Sequence, residues 1–235
     1  MICGAATTFQ QFGPPHAVAI FLTAALPAAL ILRVRKADSL PLSKAICCGL
    51  AAVLLVNEFL HYAFGFQSVG WQGFLRDFLP LHICGLAAYL AAFSLITRRQ
   101  WAYEIAYFWG LAGTTQAILT PDLQAGFPQY WFFQYFIRHS GIVAAVLLAT
   151  IGLKMRPRPG SVLRVFIITN VWLVLVAGAN WALDANYMYL ARRPDVPSPL
   201  VILPWPWYIV LADALVLVAF ALLYWPFLAR NRRAT

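Results

Sequence analysis

Seven stretches of this chain run for about 20 residues each with little interruption by charge, which is the length a helix needs to cross a bilayer. They fall at about 15–33, 43–65, 78–97, 101–120, 132–153, 162–184 and 204–228. The breaks between them carry proline, glycine or charge: Asp38 and Pro41, Gly70 to Asp77, Arg98 and Arg99, Pro121 to Pro128, Arg156 to Gly160, and Pro194 to Pro199. No break is long enough to be a separate soluble domain, and the chain shows no internal repeat. The pattern predicts one polytopic membrane domain over 1–235, an all-α bundle of seven transmembrane helices.

Composition sharpens this expectation. The chain is 62% hydrophobic and 11% charged, whereas a soluble domain is about half apolar and about a quarter charged. So little charge could not cover a water-facing surface, which excludes an ordinary soluble enzyme, a disordered chain and a disulfide-framed secreted domain. The net charge of +9 is not a nucleic-acid signal, because the 17 Lys and Arg residues are clustered between the apolar runs. Thirteen lie between spans one and two, three and four, five and six, or after span seven; only Arg76, Arg138, Arg192 and Arg193 lie on the other side. Basic residues stay on the cytoplasmic side, so the asymmetry predicts an outside N-terminus and a cytoplasmic C-terminus in the cell membrane. The first apolar run lacks a basic leader and a cleavage site and reads as a retained helix. Trp71, Tyr130, Trp131, Trp205, Trp207 and Tyr208 would sit at the outer interface, and Trp101, Tyr103, Tyr224 and Trp225 at the inner one.

Polar residues inside spans are costly and concentrate where function is. Here they gather toward the outer ends of six helices: Asn57, Glu58 and His61; His82 and Cys84; Gln116 and Thr120; Arg138, His139 and Ser140; Asn180, Asp184, Asn186 and Tyr187; and, deeper, Asp213. The inner halves are mostly Ala, Leu, Val and Ile. At ~1.5 Å rise per residue most of these groups lie within ~10 Å of one boundary, a layer that predicts a polar cavity open outward.

Each candidate has a bland reading beside the chemical one. Cys84 is a potential nucleophile for acyl transfer or a small buried hydrophobe. His139 is a potential general base, oriented by Glu58 or Asp184 in the manner of a triad, or an interhelical hydrogen-bonding residue. His82 is two residues from Cys84 and faces elsewhere in a regular helix, so a base from another helix, His139 or His61, suits the thiol better. Arg138 could contact lipid phosphate or snorkel to the interface. His61, Gln116, Asn180, Asp184, Asn186 and Tyr187 could bind a headgroup or serve as packing glue. Asp213 could likewise bind substrate, and it needs a partner, for which a histidine is natural. Glu104 reads as an ion pair with Arg98 or Arg99. No HxxxH or HExxH pair occurs, so neither metal nor other cofactor is expected. A Cys3–Cys84 disulfide is open on the outer side.

Several segments are specific in combination: Leu79-Pro80-Leu81-His82-Ile83-Cys84, Thr120-Pro121-Asp122-Leu123 with Phe127-Pro128, Phe136-Ile137-Arg138-His139-Ser140-Gly141-Ile142, Asn186-Tyr187-Met188-Tyr189-Leu190, and Pro204-Trp205-Pro206-Trp207-Tyr208. Together they resemble the YwaF-like bacterial membrane proteins, relatives of eukaryotic transmembrane protein 164. The resemblance implies lipid acyl transfer with the acyl group carried on a cysteine. Cys84 matches that cysteine, and His82 and His139 match the family's recurrent histidines.

The expectation is therefore a lipid acyltransferase: Cys84 as nucleophile, His139 as base with His82 and Glu58 beside it, and membrane lipids as substrates. A transporter or small-molecule-binding protein using the same cavity is the alternative.

Overall fold

The computed structural model describes residues 7–193 and 202–231, with backbone only for the last three. Cys3, the Pro194–Pro199 break and the side chains of Arg230, Arg232 and Arg233 lie outside the described residues. Among the described residues the chain forms seven α-helices: α1 Pro14–Ala37, α2 Leu40–Asp77, α3 Ile83–Thr97, α4 Gln100–Leu119, α5 Tyr130–Leu147, α6 Ser161–Leu183 and α7 Trp207–Asn231. A π-helical turn, Leu148–Gly152, continues α5, and a 3-10 turn, Tyr187–Tyr189, follows α6.

Five of these segments are long and apolar enough to cross a membrane: α1, α2, α5 with its π turn, α6 and α7. The other two are not among them. The 15 residues of α3 rise only about 22 Å, short of a hydrocarbon core of about 30 Å. The helix begins at Ile83 rather than 78 because Pro80 has no amide hydrogen to donate and holds the backbone before it out of the helical region. α4 is interrupted by Gln100, Glu104, Thr114, Thr115 and Gln116.

The expected break at Gly70 to Asp77 is a single residue. Gly70 adopts φ 66° and ψ −171°, a conformation that favours glycine, and the helical path resumes at once. The turn-like residues Trp71 to Asp77 thereby become a short amphipathic extension of α2.

The core lies among α2, α3, α4 and α5. α3 turns Ala87, Ala88, Ala91 and Ala92 inward, and Ala106 on α4 and Ala144, Ala145 and Ala149 on α5 and its π turn are likewise buried. Small side chains let helix backbones approach closely, which is how helices associate where lipid is as apolar as the side chains. α1 packs against α5, and α6 and α7 lie against α4. The segment before α1 is tied to the α4–α5 loop by Phe9 N donating to Gln124 O at 2.8 Å and Gly126 N to Thr7 O at 2.8 Å.

Where α4 begins, Glu104 is buried and charged. It accepts from Arg158 N, Nε and Nη2 at 2.8, 2.9 and 3.0 Å, from Gln100 at 3.1 Å, and from Arg164 at 3.4 Å. Its cationic partners come from the α5–α6 connection and from α6, not from Arg98 or Arg99. Arg98 instead caps α3 in the left-handed conformation and donates to the Cys47 sulfur. Tyr103, Tyr208 and Tyr224 are buried within the protein, whereas Trp71, Trp101, Trp205, Trp207 and Trp225 are exposed.

Candidate functional site

The opposite end of the four-helix core, where α3 begins, holds a second buried ionic cluster. Glu58 on α2 has no solvent exposure. Arg138 on α5 donates to it through two parallel bonds, Nε to Oε1 at 2.5 Å and Nη2 to Oε2 at 2.9 Å. This fork-on-carboxylate arrangement is the strongest that an arginine makes. Tyr62, one helical turn beyond Glu58, and Tyr89 on α3 lie beside this pair. The approach of α3 to this cluster depends on Gly85: a Cβ there would lie 3.3 Å from Tyr62 Oη and 3.5 Å from Glu58 Oε2.

Cys84 immediately precedes Gly85 in the first turn of α3. It is a free, half-buried cysteine within electrostatic reach of Arg138 and Glu58. The helix N-terminus adds a partial positive charge and unpaired amides at this point. His82 is the residue that caps α3, and its ring packs edge-on against Tyr187 at 5.3 Å. His61 on α2 packs among Tyr62, Phe78 and Trp131, and its Nδ1 is buried with no hydrogen-bond partner among the described residues. His61 and His82 are both within electrostatic reach of Arg138 and of each other's neighbourhood.

His139 is buried on α5 beside Arg138. Its Nδ1 lies 2.7 Å from the Tyr135 carbonyl one turn earlier. A carbonyl only accepts, so a neutral His139 carries its proton on Nδ1 and leaves Nε2 as the basic nitrogen. The orienting group is therefore backbone. Neither carboxylate expected in that role fills it: Glu58 is clamped by Arg138, and Asp184 pairs with Arg76 at 3.4 Å in an exposed position.

Several expected headgroup contacts are engaged in local structure. Asn180 accepts from Tyr187 N at 2.8 Å and donates to Tyr187 O at 2.9 Å, closing the turn after α6. Asn186 accepts from the backbone of Ala191 and Arg192 and donates to Arg192 O. Tyr187 is buried; its hydroxyl donates to Leu75 O at 2.9 Å and accepts from Leu79 N at 2.8 Å, pinning the α2–α3 turn. Gln116 donates to Thr120 on its own helix at 2.6 Å. Asp213 is partnered by Asn170 at 3.2 Å rather than by a histidine.

The structure thus draws Glu58, Arg138, His61, His82, Cys84 and His139 toward one end of α2, α3 and α5. It leaves Asp184 and Asn186 at the surface and sets Asp213 apart in a cavity between α4, α6 and α7. Tyr62, Tyr89 and Gly85 were not singled out from the sequence. The four-residue spacings from Glu58 to Tyr62 and from Gly85 to Tyr89 are the signal that could have found them.

No solved structure matches this chain. An uncharacterized protein of Treponema pallidum (strain Nichols) is 28% identical over 155 residues, 65% of this chain and 63% of that protein's length, so the chain matches less than two thirds of this relative. A model of the TMEM164 family matches residues 11–224, nearly the whole chain, covering α1 to α6 and most of α7. The apolar helices and this match together make the chain an integral membrane protein of the TMEM164 family.

Proposed function

We propose that this protein transfers acyl groups between membrane lipids through a thioester on Cys84. The observation that carries the reading is the position of Cys84: a free, half-buried cysteine in the first turn of α3, within electrostatic reach of Arg138. The thiolate is the reactive form of cysteine, so this chemistry requires a base that takes the Cys84 proton. The sequence resemblance to acyl-cysteine lipid acyltransferases supports the same chemistry. In this reading the chain crosses the cell membrane seven times with the cysteine end outward, the α3 crossing being completed by the Phe78–His82 turn.

The Cys84 proton passes to Nε2 of His139 as the sulfur attacks the ester carbonyl carbon of a donor phospholipid. Arg138 has five N–H donors and uses two on Glu58, so three remain for the developing oxyanion or the lipid phosphate. The ester C–O bond breaks, His139 returns the proton to the departing alkoxide, and a lysolipid leaves. An acceptor hydroxyl then gives its proton to Nε2 and attacks the thioester, and the proton returns to the Cys84 sulfur. Glu58, Tyr62 and Tyr89 hold Arg138 in place and do not touch substrate. His82 and His61 flank the donor.

Purified protein incubated with an acyl-labelled phospholipid and a lysolipid acceptor tests this. The label moves to the acceptor with the wild-type chain, and Cys84→Ser abolishes the movement. Undiminished transfer by Cys84→Ser overturns the mechanism.

A further inference from the structure

Asp213 lies in a part of the molecule that acyl transfer does not use. It lines a cavity of about 160 Å³ between α4, α6 and α7, together with Trp109, Tyr208, Phe220, Met188 and Ile83. A carboxylate among spanning helices is costly unless a cation compensates it. Among the described residues the acids in ion pairs are Glu58, Glu104 and Asp184; Asp213 has none. Its partner Asn170 is neutral and leaves the charge uncompensated.

The aromatic walls narrow the chemistry of the missing cation. Trp109 donates its Nε1–H to Thr169 Oγ1 at 2.8 Å, and Thr169 donates onward to Val165 O at 2.8 Å. The Tyr208 hydroxyl donates to Tyr189 O. The polar ends of both rings are occupied, so they offer the cavity π surface rather than hydrogen bonds. Phe220 can offer nothing else. A primary ammonium brings three N–H donors, and Asp213 is the one carboxylate in this lining to accept them. A phosphate or carboxylate would be repelled by Asp213. A methylated ammonium needs no acceptor and is attracted both by aromatic faces and by a carboxylate. The volume is roughly five times the ~30 Å³ share of one water, which suits the five heavy atoms of an N(CH₃)₃–CH₂ group.

We propose that the cavity between α4, α6 and α7 binds a methylated organic ammonium group, with Asp213 as counter-ion and Trp109, Tyr208 and Phe220 as its aromatic walls. The inference stands apart from the chemistry assigned to Cys84. Such a group could arrive on a choline-type phospholipid or as a free quaternary amine.

The test uses the full chain in nanodiscs and labelled tetramethylammonium as probe, with phosphatidylcholine, phosphatidylethanolamine and phosphatidylglycerol as competing lipids. Saturable binding is expected, displaced by phosphatidylcholine if the source is lipid and by free choline alone if it is not. Asp213→Asn keeps the shape and a hydrogen bond to Asn170, and Trp109→Leu removes one wall. Each should weaken binding about tenfold or more, on the order of one desolvated cation–π contact. Phe220→Leu serves as the second wall variant should Trp109→Leu fail to fold. Cys84→Ser should bind as the wild type does, which separates this site from the acyl-transfer reading. Absence of saturable binding, equal affinity in Asp213→Asn, or displacement by phosphatidylethanolamine as strong as by phosphatidylcholine would overturn the proposal.

Discussion

Replacing Arg138 with methionine should be among the most destabilising single changes available in this chain. Methionine keeps much of the side-chain length but removes both bonds to Glu58, at 2.5 and 2.9 Å. Glu58 has no solvent exposure. Gly85 on α3 lies against it, with an added Cβ in van der Waals contact with Oε2 at 3.5 Å. Tyr62 alone would face the carboxylate. Breaking a buried pair by removing one partner costs about 3–5 kcal/mol, chiefly because a charge is stranded. Glu58→Gln should cost less, about 1.5–3 kcal/mol, because the amide oxygen still accepts from a guanidinium that is 11% exposed. In the double variant no charge is stranded, so the two losses should fall short of adding by about 1.5 kcal/mol or more. Denaturant unfolding of the four proteins in one detergent measures the cycle. Additive losses, or a cost under about 1 kcal/mol for Arg138→Met, would refute the claim that the pair is buried and coupled.

Gly85→Ala places a methyl group 3.3 Å from Tyr62 Oη, a contact relieved by a shift of a few tenths of an ångström at the end of that side chain, so by the same unfolding assay it should change stability by no more than about 1 kcal/mol. Asn180→Ala removes both bonds to the Tyr187 backbone. It should lower stability by about 1–3 kcal/mol while leaving the KM for lipid unchanged. A raised KM at unchanged stability would return Asn180 to the headgroup. Asp184→Asn should shift stability by no more than about 0.5 kcal/mol, because the Asp184 and Arg76 side chains are 79% and 55% exposed, and it should leave acyl transfer intact.

The helices were legible because hydrophobic length is a property of the chain alone. The first, fifth, sixth and seventh apolar runs match α1, α5, α6 and α7 to within a few residues. The second and third runs failed at their shared turn. There the apolar pattern continues through Leu79-Pro80-Leu81, while the backbone is set by Pro80 and by the Tyr187 hydroxyl bridging Leu75 and Leu79 from another part of the chain. The gathering of polar residues at one end was readable from helical rise. Their pairing was not, because it depends on how the helices rotate about their axes. Glu58 was expected to face His139 and instead meets Arg138, whose guanidinium outcompetes an imidazole for a buried carboxylate. The orienter of His139 was hidden because any helix offers a carbonyl four residues back, and sequence does not record which side chain turns to use it. Asn180 and Asn186 looked like cavity residues, yet a short asparagine side chain beside a helix end competes well for backbone groups.

The most direct measurement is the intact mass of the protein after brief exposure to a phospholipid donor without acceptor. An acyl adduct released by hydroxylamine, mapped by peptide sequencing to Cys84, missing from Cys84→Ser and slow to form in His139→Gln, is the predicted result. An unmodified Cys84 in protein that still moves acyl groups between lipids would contradict it.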